Sequence, residues 1–328
     1  MVTAKRECIV PCNLCGSMEV EEISRVDRDK NYLRTVICKR CGLAWSDPRP
    51  DAEEVKKFYS KDYRILYKGA YSPKLKHVYR AGKVAAARYA FLNDVIKPDD
   101  AVLDIGSGGG EFVYLMRKLG FDGKGIEPNE GYGLYAKMQL ELPIEVGFAQ
   151  QLDLQRDSYN VITLHHVMEH LDDPSLILER IRDALRDDGI LVVEVPNIEG
   201  TCFAPTHRFH VAHLYSFNQQ TLEAMGRKAG FKVHKTIISS DGGVITTMFR
   251  KTERSGTVDA AILGNYERII KILKEHTNVS HYLTLNPYVR PIRRLRMYVD
   301  EAAAIRNRAS GKEVLDHVIS KQTGERKS

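Results

Sequence analysis

Residues 102–112 read Val102-Leu103-Asp104-Ile105-Gly106-Ser107-Gly108-Gly109-Gly110-Glu111-Phe112. An apolar run ends in spaced glycines and then opens a helical period, which predicts a strand turning straight into a helix. Glycines at 106, 108 and 110 let the backbone turn tightly and approach a ligand without side-chain obstruction. The helix behind them offers unpaired N–H groups and the positive end of its dipole. Glu127 closes the next strand, 21 residues after Gly106, where a carboxylate can accept hydrogen bonds from both hydroxyls of a ribose. A dinucleotide fingerprint requires glycine at the first, third and sixth positions. The sixth here is Glu111, and a carboxylate beside a pyrophosphate repels it. Asp104 suits instead an amino-acid head carrying an ammonium. The residues therefore point to S-adenosylmethionine (SAM) and away from NAD.

From Asp99 to about Arg250, short apolar runs alternate with helical periods. Strands are predicted at Ala101–Ile105, Gly123–Ile126, Ile144–Val146, Tyr159–Leu164, Ile190–Val195, Phe231–Ile238 and Val244–Phe249. Helices are predicted at Glu111–Leu119, Glu130–Leu140, Ser175–Leu185 and Gln219–Ala229. Such alternation implies a parallel sheet covered on both faces. Only Ser239-Ser240-Asp241-Gly242-Gly243 separates the last two strands, so they pair as a hairpin and one strand runs antiparallel.

The chain has 328 residues, 43% hydrophobic and 28% charged, a globular balance that excludes a wholly disordered or fibrous protein. No apolar run reaches the roughly 18 residues of a membrane helix, and the N-terminus lacks the order of a signal peptide. A cytoplasmic protein is expected. The net charge is +6, but residues 251–328 carry 15 Lys/Arg against 9 Asp/Glu, and residues 1–250 carry 34 of each. The excess sits in the tail, which argues against a nucleic-acid partner for the body.

The glycine loop, GIEPNE (125–130), YNVITLHHVMEHLDDP (159–174) and LRDDGILVVEVPN (185–197) follow one another in order. Together they resemble the successive motifs of class I SAM-dependent methyltransferases over about residues 99–250. The resemblance implies a doubly wound, mostly parallel, seven-stranded Rossmann-like sheet. It implies that Asp104, Gly106, Ser107, Gly108 and Gly110 line the methionine part of the cofactor, that Glu127 holds the ribose and that Pro128 flanks the adenine. Ala149, Gln150 and Gln151 match the adenine-side loop, and His165 the end of the fourth strand. Members of this family often place an acidic residue in that loop; here Gln150 and Gln151 are neutral, and an amide can still pair with the adenine amino group.

Four of the six cysteines form Cys12-x-x-Cys15 and Cys38-x-x-Cys41. Four thiolates at this spacing suit a tetrahedral zinc with no open position, hence a structural one. Gly16 and Gly42 follow the second cysteine of each pair and permit the tight turn. Cys8 and Cys202 are left over as structural thiols. The stretch CNLCGS … CKRCGLAWSDPRP, followed by EEVKKFYSKDY, resembles the zinc-ribbon leader of bacterial methyltransferases that modify sugars. A ribbon that reads RNA is the rival, but 9 basic against 7 acidic residues in 1–50 are too balanced for a phosphate-binding surface.

His165, His166 and His170 follow the fourth strand, and His207, His210 and His213 the fifth, at strand ends where open α/β sheets bind ligands. The spacing His207-x-x-His210-x-x-His213 admits a metal, but the segment lacks a carboxylate. General-base chemistry suits imidazole better. Residues 210–231 resemble the segment that carries the catalytic histidine in sugar C-methyltransferases. Their pattern is Tyr-x-Glu-His; His213 matches the final histidine, with His210 in place of Tyr and Ala212 in place of Glu, and His170 matches a second histidine of those sites. Carbon attack needs an enolate to be generated and stabilised, whereas methylating an oxygen needs one base. The expectation is therefore O-methylation of a sugar-containing small molecule or glycan, with His213, His170, His210 and His166 as catalytic candidates. Sugar C-methylation, methylation of RNA or another macromolecule, and a non-catalytic SAM-binding regulator are the alternatives.

The resulting plan is a zinc-ribbon-like domain at 1–50, a helical connector at 51–97, a SAM-binding domain at 98–250 and a basic helical extension at 251–328. Within the connector, Ser72-Pro73 interrupts the pattern and a helix is predicted from Val84 to Val95. In the extension, Ile262, Tyr266, Ile269, Ile270 and Leu273 share one face, as do Ile305, Val314, Leu315 and Val318. Asn286-Pro287 and Arg290-Pro291 are predicted to break the region. Arg290, Arg293, Arg294 and Arg296 form a cluster suited to peripheral contact with an anionic membrane, a nucleotide diphosphate or a partner, or to a solvated helix face.

Overall fold

The computed structural model describes residues 10–49, 71–151, 154–253 and 260–325. The strands are β1 (Val20–Val26), β2 (Tyr32–Cys38), β3 (Ala44–Ser46), β4 (Ala101–Ile105), β5 (Asp122–Glu127), β6 (Ile144–Val146), β7 (Tyr159–His165), β8 (Leu185–Pro196), β9 (Tyr215–Ser216), β10 (Phe231–Ile238) and β11 (Val244–Lys251). The helices are α1 (Leu75–Leu92), α2 (Glu111–Lys118), α3 (Glu130–Gln139), α4 (Pro174–Ala184), α5 (Gln219–Lys228), α6 (Asn265–Glu275), α7 (Asn278–Tyr282), α8 (Asn286–Ile305) and α9 (Gly311–Glu325).

Two sheets result, one in the order β10-β11-β8-β7-β4-β5-β6 and one in the order β1-β2-β3-β9. The seven-stranded, mostly parallel sheet with flanking helices is the Rossmann-like fold expected of the sequence. β4, β5 and β6 run parallel, with Asp104 opposite Gly125. β11 is antiparallel to both β10 and β8. The hairpin turn is closed by Asp241, whose Oδ1 accepts from Ser239 Oγ (2.6 Å) and Gly243 N (3.0 Å).

The chain divides into two compact units, one of Met1–Asp51, Leu164–Asp183 and Ile190–Arg290, the other of Ala52–Thr163, Ala184–Gly189 and Pro291–Ser328. In the first, Ile37 and Ala44 of the small sheet pack on Ile198 and Ile269. In the second, Val78 and Tyr79 of α1 join Val113 and Tyr114 of α2 and Val314, Leu315 and Val318 of α9. Gly82 marks where α9 crosses α1 most closely, since a Cβ there would lie 2.8 Å from Leu315 Cδ2.

Two helix expectations are corrected. The helix placed at Val84–Val95 spans Leu75–Leu92, because Pro73 precedes its cap residue Lys74 rather than interrupting it. Val78, Tyr79, Gly82, Ala85 and Ala86 are its buried face. Arg290-Pro291 does not break the C-terminal region, for α8 runs through Pro291. Pro287 stands where an N–H has no intrahelical acceptor, and Pro291, the sixth residue, removes one bond in the second turn. The predicted apolar faces of the extension hold in part: Ile269 is buried on α6 with Tyr266, Ile270 and Leu273 packed around it, but Ile262 precedes that helix. Val314, Leu315 and Val318 are buried on α9, whereas Ile305 ends α8. Residues 51–70 of the expected connector, and Cys8, lie outside the described residues.

Candidate functional site

Gly106, Gly108 and Gly110 all take left-handed backbone conformations, with φ of 76°, 59° and 82°, which explains glycine at these positions. The N–H groups of Gly106 and Ser107 both donate to the Ile126 carbonyl (2.8 and 2.9 Å), tying the loop to the end of β5. Gly110 is the cap residue of α2. The Glu127 carboxylate, buried, is oriented by two backbone donors: Gly108 N to Oε2 (2.7 Å) and Asn129 N to Oε1 (3.0 Å). Asp104 is buried and its Oδ1 accepts from Thr163 Oγ1 (2.7 Å). Glu111 folds back over the loop, since a Cβ on Gly109 would stand 2.6 Å from its Oε1. Burial, with Glu111 nearby, pushes the Tyr135 hydroxyl up to about 12.

Carboxylates at 104, 111 and 127 around one glycine loop are a donor set for a cationic nucleoside and not for a diphosphate. The buried Ser107 Oγ has no hydrogen-bond partner among the described residues, a polar group that a ligand atom would satisfy. The residues therefore fit the cofactor. Gly147 N donates to the Glu127 carbonyl (3.0 Å), and Gln150 and Gln151 follow in a single turn at Ala149–Gln151. Pro128 is half-buried beside Glu127.

The four cysteine sulfurs lie within 4.8 Å of one another, with Cys12–Cys41 and Cys15–Cys38 at 3.5 Å. A tetrahedral zinc at about 2.3 Å from each sulfur separates them by about 3.8 Å, so the cluster fits the ion with little movement. Gly16 (φ 73°) and Gly42 (φ 79°) make the turns. Mutual hydrogen bonding holds the Cys15 thiol down to about 7 and pulls Cys38 down, while Cys12 and Cys41 are pushed up. The thiols cannot all ionise together without a cation between them. Asn265 donates from Nδ2 to the Cys41 carbonyl (2.8 Å) and accepts at Oδ1 from Asn218 Nδ2 (2.6 Å).

The histidines gather around Glu169. His165 ends β7 and is buried. His166 takes a left-handed φ of 57°, with Nδ1 3.2 Å from Glu169 Oε1 and Nε2 3.4 Å from Glu194 Oε1. His170 Nδ1 lies 2.6 Å from the Ala212 carbonyl. A carbonyl only accepts, so Nδ1 carries a proton, and Nε2 lies 3.9 Å from Glu169 Oε1. His213 stacks edge-on against both His170 and His210, with ring centroids 4.9 and 5.1 Å apart. Ser46 Oγ donates to the His213 carbonyl (3.3 Å), and Trp45 pairs with Tyr215 where β3 meets β9.

Burial pushes His213 down to about 3, helped by His170, with Glu169 pulling the other way. Burial and Arg28 push His210 down to about 4. Burial would raise Glu169, but His170 and the hydrogen bond from His166 outweigh it and hold the carboxyl at about 2. His213 is thus a neutral acceptor throughout the physiological range. Glu169 Oε2 is buried without a hydrogen-bond partner among the described residues.

Among the described residues the triplet 207/210/213 does not form a metal-binding group. The donor atoms that lie within 4.8 Å of one another belong to Glu169, His170 and His213, whereas His207 bonds to its neighbour Thr206. Sequence reading passed over Glu194, although a lone carboxylate inside the apolar run Ile190–Val195 was a visible signal. It also missed the Ala212 carbonyl, which no side-chain pattern reveals.

Residues 76–236 match the family model described as "Methyltransferase domain". The chain is similar to the ubiquinone biosynthesis O-methyltransferases of Histophilus somni (32% identity, 29% of this chain, 44% of the relative) and Paraburkholderia phymatum (31%, 34% and 52%). It thus spans about half the length of the curated relatives it matches. Solved structures with a similar fold include an S-adenosylmethionine dependent methyltransferase from Mesorhizobium loti (13% identity, 52% of this chain and 100% of that one, TM-score 0.45). Another is the 1,6-didemethyltoxoflavin-N1-methyltransferase of Burkholderia thailandensis (17%, 66% and 98%, TM-score 0.46). Seven-stranded sheet order, the left-handed glycine loop and the family match together mark residues 76–236 as a methyltransferase domain.

Proposed function

We propose that the protein methylates a hydroxyl oxygen of a sugar or sugar-containing metabolite, with His213 as general base. The observation that carries this reading is the packing of neutral His213 against His170 beside the unpartnered Glu169 Oε2. That cluster offers a hydroxyl a neutral imidazole and a carboxylate oxygen as acceptors. An acceptor oxygen also accords with the O-methyltransferase name of the relatives. The sugar class rests on the resemblance of the cysteine-bearing leader to sugar-modifying enzymes. With His210 and Ala212 where C-methylating enzymes place Tyr and Glu, the chain lacks the groups that support an enolate.

When bound, SAM supplies a methyl group already activated for displacement. Glu127, fixed by Gly108 and Asn129, accepts from the ribose hydroxyls, and Asp104 and Glu111 favour the cationic end. His170, locked by the Ala212 carbonyl, orients the acceptor hydroxyl, and His213 takes its proton. A base held at about 3 suffices, because an oxygen acquiring a methyl group becomes a far stronger acid than imidazolium. Most of the rate then comes from positioning.

The test is incubation with SAM and, separately, nucleotide-sugars, catechols and RNA, followed by mass spectrometry of the products. A methyl ether on a sugar hydroxyl is the expected product. Methylation of a catechol or of RNA in its place rejects the sugar assignment. SAM binding without transfer to any acceptor rejects the enzymatic reading.

A further inference from the structure

Away from the site, helix α8 carries an apolar stripe that faces water. Tyr288, Ile292, Leu295 and Val299 are 60%, 57%, 65% and 62% exposed, and Leu285, just before the helix, is 78% exposed. Their separations of four, three and four residues continue to the exposed Ala302. At 100° per residue the four large side chains span about 60° of the helix. The last turn anchors the helix to the chain's own body on the opposite side, with Glu301 buried and ion-paired to Arg80 and Ala304 packed into the core.

An alternating four-three spacing is the seam that a second α-helix of the same kind fills, knobs into holes. A seam of this type is self-complementary, so an identical copy related by a two-fold axis satisfies it on both sides at once. At roughly 150–200 Å² per large side chain, the stripe leaves on the order of 500 Å² of apolar surface in water. Two copies together cover about 1,000 Å², the lower limit for a specific interface. The stripe contains no charge; Arg293, Arg294 and Asp300 lie off it. A helix lying on a lipid surface needs a wider apolar face, about 100° or more, than this one offers.

We propose that α8 is a self-association surface, and that a second copy of this chain docks its own α8 against the stripe of Tyr288, Ile292, Leu295 and Val299. The test is the mass of the full-length, zinc-loaded chain by light scattering at micromolar concentration, for the native protein and for Ile292→Glu/Leu295→Glu. Calorimetric SAM affinity and the melting temperature are followed in parallel. The native chain should run at the mass of two chains, and the variant at half that mass with unchanged SAM affinity. Tyr288→Glu/Val299→Glu, on the same stripe but sharing no substituted residue, should halve the mass in the same way. A native chain with the mass of one copy overturns the proposal, as does a two-chain mass that survives both variants. So does a single-chain native protein that co-sediments with phosphatidylglycerol-containing vesicles and loses this on substitution, for then the stripe reads lipid.

Discussion

His213 shows how much of a side chain's chemistry its surroundings decide. Alone it would be half-protonated near pH 6.5, but burial holds it neutral down to about pH 3. His213→Ala should leave the SAM dissociation constant within about twofold and lower turnover roughly 10²- to 10³-fold; calorimetry and steady-state rates check both. Glu127→Ala should instead raise that dissociation constant roughly ten- to hundredfold, the loss of a charged hydrogen bond. Gly110→Ala should lower the melting temperature. Its φ of 82° costs a side chain about 1–2 kcal/mol, and the new Cβ would meet Leu142 Cδ1 at 2.7 Å. The glycines were legible because each demands a conformation that only glycine adopts freely. The depressed basicity of His213 was not, since it arises from the neighbours that fold over it.

The secondary elements were legible in proportion to their periodicity. β6 and β10 begin and end where the alternation of residues placed them, because strand and helix periods differ and turn residues separate them. The length of α1 was misread through Pro73, and Pro291 was overrated as a breaker, because a proline's effect depends on its place relative to a helix end. What the pattern could not show is the pairing of β3 with β9, which joins residues far apart in the chain. That pairing, with Ser46 on the His213 carbonyl and Asn265 on Cys41, couples the cysteine layer to the histidine segment. In protein loaded with zinc on the four cysteines, stripping the ion with a strong chelator should therefore depress turnover by tenfold or more while changing SAM affinity little, and readdition of zinc should restore it. A chelated enzyme of undiminished turnover would reject the coupling.

For the molecule as a whole, the buried histidines set an acid limit on stability. Below the ordinary imidazole value of 6.5 the unfolded chain protonates His210 and His213, whereas the folded chain resists to about pH 4 and pH 3. The unfolded state binds more protons there, so stability falls as pH falls, by roughly 1.4 kcal/mol per unit for each group. Glu169, held at about 2 in the fold, adds a loss in the same direction below about pH 4.5. Urea midpoints should thus drop steeply between pH 6 and pH 4, and less steeply in His213→Gln; a flat profile rejects the buried neutral imidazoles. Fold class was visible in the alternating periods of residues 99–250, whereas the acid limit comes from a few clustered side chains. One further consequence concerns Trp45, the single tryptophan of the sequence, 1% exposed in β3. Under excitation selective for tryptophan its fluorescence is a built-in gauge of one locality, so a red shift of emission during metal stripping would time the loosening of the cysteine layer without signal from the sixteen tyrosines.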